Sequence, residues 1–406
     1  MAAPTALAAS VWWVHNSNPS LCSDTGPGTS ATPLCTISAA AKKAVSAGDQ
    51  VMVRPGTYAE QVNVAASGTT GSPITFTASA PGVVVLGSRD LSDAPGWAPT
   101  TTTAWSRAYA PPSAPSLQLQ VFSDGVRLPQ AASLAALGAG QFFYDTVAKV
   151  LYVDAGGANP ATGHTIATFA QAYGFNLVGR SNVVVDGFTL KQQNIAGVRL
   201  SGSSAVTVQN VTVTQSDGNG ILAEAASSVV TITGSTVSGS ASIGIKLSAT
   251  TGSTISANTS HDNLSHGISL QTSSNNLVVG HTAYNNANVG PVHIAVGIDV
   301  SASSTGVTLE QNTRTPTGTP VSRSTRVRAT PSFPATSATT TATMGWTAST
   351  PRANRSWETQ WSATARSAST SRAPPRWGAL ARWWATTSAA TTQWAARPPW
   401  TTSGWT

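Results

Sequence analysis

Between residues 179 and 312, Val, Ile and Leu alternate with Thr, Ser and charged residues in short runs that Gly, Asn and Ser interrupt. One tetrapeptide recurs there: GVRL from Gly197, GILA from Gly220, GIKL from Gly244, GISL from Gly267 and GIDV from Gly297, at steps of 23, 24, 23 and 30 residues. Each is preceded by a second apolar–polar run, among them NVVVDGFTL, AVTVQNVTV, SVVTITGSTV and NNLVVGHTAY. A sustained repeat of short alternating segments joined by turn residues predicts a parallel β-solenoid. No unit can bury its own apolar residues; each does so against the coils above and below. The fold class expected is therefore all-β, a parallel β-helix over 179–312 with its aliphatic residues inward.

Stacking turns the alignment into columns, because equivalent residues of successive coils lie about 4.8 Å apart along the axis. The third residues of the tetrapeptides form one outward column, Arg199, Leu222, Lys246, Ser269 and Asp299. Six residues before each glycine runs a second, Lys191, Thr214, Ser238 and His261, with Tyr284 next if the longer last repeat carries its extra residues after that point. His261 and Tyr284 then become neighbours on one face. The stretch NVGPVHIAV would project as a loop beside them, carrying His293.

Upstream, TISAAAKKAVSAG reads as an amphipathic helix and GDQVMVRPGTYAEQVNV as the first strands. Together they give an N-terminal cap and first coils over 11–87, the cap covering an otherwise open sheet edge. From 88 to 178 the repeat lapses into hairpin patterns such as YDTVAKVLYV, a β-rich insertion that either walls a groove or decorates the surface. Residues 1–10, MAAPTALAAS, read as a signal-peptide remnant or an unstructured leader.

Composition changes this picture at one end. The pI of 9.8 suggests an anionic partner. Yet residues 313–406 hold 11 Arg against the single Glu358, leaving 22 − 11 = 11 basic against 15 − 1 = 14 acidic residues before them. Those last 94 residues also contain nine of the thirteen Trp, and 85 of them are Ser, Thr, Pro, Ala, Arg, Gly or Trp. A GC-rich gene read one base late produces that set, since the third codon base, mostly G or C, becomes the second. A frameshift near Asn312 is one reading of the tail; a genuine basic, low-complexity, disordered tail is the other. With no glycine loop opening a helix, and with the basic residues confined to the tail, nucleic acid is not an expected partner. No run is long enough to span a membrane. Cys22 and Cys35, the only cysteines, sit in a polar Gly/Pro-rich segment and predict a disulfide in a secreted, extracellular protein.

The elements GTSATPLCTI, AGDQVMVRPGTYAE and SGTTGSPITF resemble the N-terminus of secreted bacterial right-handed parallel β-helix proteins, including polysaccharide lyases of the pectate lyase and alginate lyase type. The resemblance covers residues 11–312. It implies a right-handed winding, an acidic polysaccharide as partner, and β-elimination as chemistry, carried out by a monomer. Such a reaction needs a base, an acid for the leaving oxygen and a cation to neutralise the uronate. On this sequence His261 is the candidate base, because an imidazole titrates near neutrality, and Tyr284 the candidate acid. Arg199 or Lys246 would neutralise the uronate. Lys191, Asp262, His266, His293 and Asp299 are candidate substrate contacts. Asp299 is also the one candidate for calcium; no cofactor is otherwise required.

Other readings compete. Outward polar residues on a solenoid are mostly solvated surface, and turn Asn and Ser mostly form hydrogen-bonded ladders. Asp186 and Asp217 occupy turns where Asp is expected on structural grounds. His261 and His266 lack a third ligand at zinc spacing. Calcium-dependent pectate lyases carry clustered aspartates where this chain has SHGISL, which shifts the expectation to a metal-independent lyase or C5-epimerase on alginate- or glucuronan-like polymers. A glycoside hydrolase would want two carboxylates about 5–10 Å apart, and this face offers few. A non-catalytic glycan-binding or adhesive β-helix is the remaining alternative.

Overall fold

A computed structural model describes residues 9–313, apart from 94–95, 102, 112–118, 158, 161, 287–294 and 302. The region 313–406 set apart by composition thus lies, beyond Thr313, outside the described residues, as do His293 and residues 1–8.

The described chain winds into three parallel sheets. The first has nine strands, from Val11–Val14 to Thr308–Glu310; the second has seven, from Gly56–Tyr58 to Thr282–Tyr284. The third also has seven, from Val62–Asn63 to Ile298–Ser301. Strands of the repeat are short, and their alternation sets the burial: in Thr212–Thr214 and Thr236–Ser238 only the middle Val is buried. Val185, Val208, Ile232, Ile255 and Val278 of the first sheet have no exposed surface and stack up the interior. Three phenylalanines fill the wider N-terminal coils, Phe175 meeting Phe76 and Phe188 edge-on at centroid distances of 5.7 and 4.9 Å.

Single residues in the left-handed region turn the corners. Asn210, Ala257 and Gln311 do so between the first and second sheets, and Gln192, Gln215, Asp262 and Asn285 between the second and third. Behind the first of these corners runs an interior ladder. The Ser235 hydroxyl accepts from the Val211 N–H at 3.2 Å, the Asn258 amide oxygen from the Ser235 N–H at 2.9 Å, and the Asn312 amide oxygen from the His281 N–H at 2.9 Å. His281, with no exposed surface, holds the rung between Asn258 and Asn312.

The repeated glycine has a steric cause. A Cβ on Gly220 would collide with the Val237 side chain and the Gly244 carbonyl, because here the inner faces of two sheets close on each other. Gly197, Gly244 and Gly267 sit in the same position one coil apart.

The helix spans Ile37–Lys43, shorter than the run that predicts it, with Thr36 as its N-cap. Ile37, Ala40 and Ala41 are buried against the first strands of the solenoid. Cys22 and Cys35 form a disulfide. The insertion comprises two four-stranded antiparallel sheets with their own core around Phe142, Leu151, Ile166 and Phe169. It ends earlier than residue 178: Tyr173–Val178 already pair in parallel with Val62–Asn63 and Ala196–Ser201. The aromatic YGF run looks like hairpin but supplies Phe175 to the solenoid core. No helix among the described residues is long and apolar enough to cross a membrane.

Candidate functional site

The second sheet presents two outward columns. One is Thr189, Thr212, Thr236, Thr259 and Thr282; the other is Lys191, Thr214, Ser238, His261 and Tyr284. The structure thus places His261 directly beside Tyr284, their rings stacked with centroids 4.6 Å apart and planes within 5°. The left-handed turn at Asp262 (φ 54°) folds its carboxylate back, so that His261 Nδ1 lies 2.5 Å from Asp262 Oδ2. A carboxylate oxygen accepts, so Nδ1 is the donor of this bond and Nε2 is the ring nitrogen left for a base's part. This is the orientation a general base requires.

The third sheet carries the other column, Arg199, Leu222, Lys246, Ser269 and Asp299, in the register expected. Its residues do not join His261. A corner separates the two sheets, and no hydrogen bond or ion pair among the described residues links the columns. Arg199 is also committed elsewhere: its Nε lies 2.8 Å from Glu224 Oε1, and its guanidinium faces the Tyr173 ring at 5.1 Å. Arg199 is thus held by Glu224, and Lys246 stands on the same third sheet, across the corner from His261. The sequence shows which residues stack but not which columns share a wall.

Asp299 is 8% exposed and accepts hydroxyls from Ser269 at 3.0 Å and Ser301 at 2.8 Å. No group of three acidic, His or Cys side chains gathers among the described residues. Two neutral hydroxyls around one covered carboxylate do not match the six to eight oxygens calcium takes, so Asp299 does not fit the calcium role. His266 accepts from the Val296 N–H at 3.1 Å through Nδ1. Burial holds its pKa below the usual imidazole value, with Asp299 pulling the other way, and the accepting Nδ1 carries no proton. It is a structural acceptor at the edge of the third sheet.

Two features escape the sequence. One is the hairpin Val121–Ser123/Val126–Arg127, whose SDG turn is legible but whose docking on distant coils is not. The other is His281, which looks like one more polar residue of the repeat until its rung turns inward.

Residues 154–318 match a family model described as right handed beta helix region. The chain matches no curated protein sequence. Among solved structures it is similar to XylC in complex with xylose, at 14% identity and a TM-score of 0.50 over 75% of this chain and 68% of that one. It is also similar to a glycoside hydrolase (11% identity, TM-score 0.46, 75% and 96% covered). An alginate lyase from a Paenibacillus species is a third (13%, 0.34, 69% and 92%). What the family model and the coordinates share is the winding itself: this is a right-handed parallel β-helix.

Proposed function

We propose that the protein is an exported carbohydrate-active enzyme, a lyase that cleaves a uronic-acid polysaccharide by β-elimination at the His261–Tyr284 pair. The observation that carries this reading is the stack of the two rings with Asp262 fixing the imidazole. His261 Nε2 would take the proton alpha to the carboxylate, at C5. The electron pair left behind forms the C4–C5 double bond and expels the oxygen at C4, which takes its proton from the Tyr284 hydroxyl. Two groups one coil apart, about 4.8 Å, reach adjacent atoms of one sugar. Both act from the same wall, which suits mannuronate and glucuronate, where H5 and O4 lie on the same side of the ring. Galacturonate, with the two on opposite sides, suits it poorly. The disulfide supports export, since such bonds persist in oxidising compartments.

The test is to incubate the full chain with polymannuronate, glucuronan and polygalacturonate and follow the absorbance of unsaturated uronate. Mannuronate or glucuronate product is expected, falling at least 100-fold in H261A and Y284F. One observation favours a second reading: the column that carries Arg199 and Lys246 lies on the third sheet, across a corner from the pair, and Arg199 is engaged by Glu224. A non-catalytic uronan-binding β-helix would be retained on such polymers without releasing any unsaturated product.

A further inference from the structure

The insertion hairpin stands on the corner between the second and third sheets and is hydrogen-bonded to two successive coils. Gln215 Nε2 donates to the Gly125 carbonyl at 3.0 Å. Arg127 Nη2 donates to the carbonyls of Ser216 at 3.4 Å and Gly239 at 3.0 Å, and its Nε to Gln120 Oε1 at 3.0 Å. Gln120 in turn donates to Asp217. The hairpin therefore walls the column that begins at Lys191 and leads to His261.

Lys191 lies under the turn of that hairpin. Gly125 has φ +77°, and a Cβ built on it would stand 3.5 Å from Lys191 Nζ. Asp124, next in the turn, is directed away, its carboxylate held by His164 Nδ1 at 2.7 Å and the Thr165 N–H at 2.8 Å. No carboxylate pairs with Lys191 among the described residues, so its ammonium is a half-buried cation beside a wall and in line with the reacting pair.

We propose that Lys191 and the Val121–Arg127 hairpin form a distal subsite for the carboxylate of a second uronate in the same chain. This rests on the reading of His261–Tyr284 as a uronan site. Three register steps separate Lys191 from His261. At about 4.8 Å each they span about 14 Å, on the order of three pyranose units. Oligomers of four or more units would bridge the two positions, and dimers would not.

Titration calorimetry on the full chain with β-1,4-linked mannuronate oligomers of two and six units tests this. K191Q should weaken hexamer binding about fivefold, the range of a solvent-accessible ion pair, and leave dimer binding unchanged. K191R should restore the hexamer affinity. Equal loss on both lengths, or no loss on either, overturns the distal subsite while leaving the site itself standing. Failure of the wild type to bind either oligomer or polymeric glucuronan overturns the reading of the site, and the subsite with it.

Discussion

His281 interrupts a ladder that its neighbours complete, and the interruption has a measurable cost. Neither ring nitrogen has a hydrogen-bond partner among the described residues, and burial pushes the imidazole pKa down to about 3. In the unfolded chain the same group titrates near 6.5. Because the folded value is depressed, its full contribution to stability is present above pH 6.5 and is lost progressively as pH falls toward 3. At pH 5 the loss amounts to about 2 kcal/mol, set almost wholly by the unfolded chain taking up its proton. Below pH 3 it would reach about 5 kcal/mol.

Asn is the residue that the flanking rungs use. Asn258 Nδ2 donates to the Ile232 carbonyl at 2.8 Å and Asn312 Nδ2 to the Val278 carbonyl at 3.0 Å, while each amide oxygen accepts from the preceding rung. H281N should repeat both bonds, at about 1 kcal/mol each, less the cost of the smaller side chain. Urea titrations of wild type and H281N between pH 8 and pH 5, read by circular dichroism, measure the effect. The variant should be at least as stable at pH 8, and its advantage should grow by about 2 kcal/mol at pH 5. Parallel stability–pH profiles for the two proteins would refute the argument.

Replacing Arg127 by Ala removes a donor shared by Gln120, Ser216 and Gly239 and should weaken insertion docking by about 2–3 kcal/mol. Limited proteolysis should cut the insertion first while the solenoid stays intact. Gly220→Ala should cost about 3 kcal/mol through its clash with Val237 and the Gly244 carbonyl, read as a lowered melting temperature.

The solenoid is legible because its physics is local and repetitive: a buried residue every second position, a turn residue at each corner, and a glycine where sheets close on each other. Columns follow from the period, and His261 pairs with Tyr284 once the extra residues of the last repeat are set after that point, as the register has them. What a period does not encode is the direction each column faces. Arg199 and Lys246 therefore group with His261 and Tyr284 along the chain's repeat, yet lie around a corner from them in space. Glu224, which captures Arg199, is one more polar residue until strand register places it. Insertion docking is less legible still, because its contacts join residues far apart in the chain with no repeat to announce them.

That distance bears on how the molecule assembles. The carbonyls that receive Arg127 belong to Ser216 and Gly239, 89 and 112 residues later in the chain. A polypeptide that folds from its N-terminus as it is synthesised completes the helix and the insertion core before those acceptors exist. Until the coil bearing Gly239 has formed, the guanidinium has only its own hairpin and water for company. The hairpin is thus among the first elements to be made and one of the last to be seated.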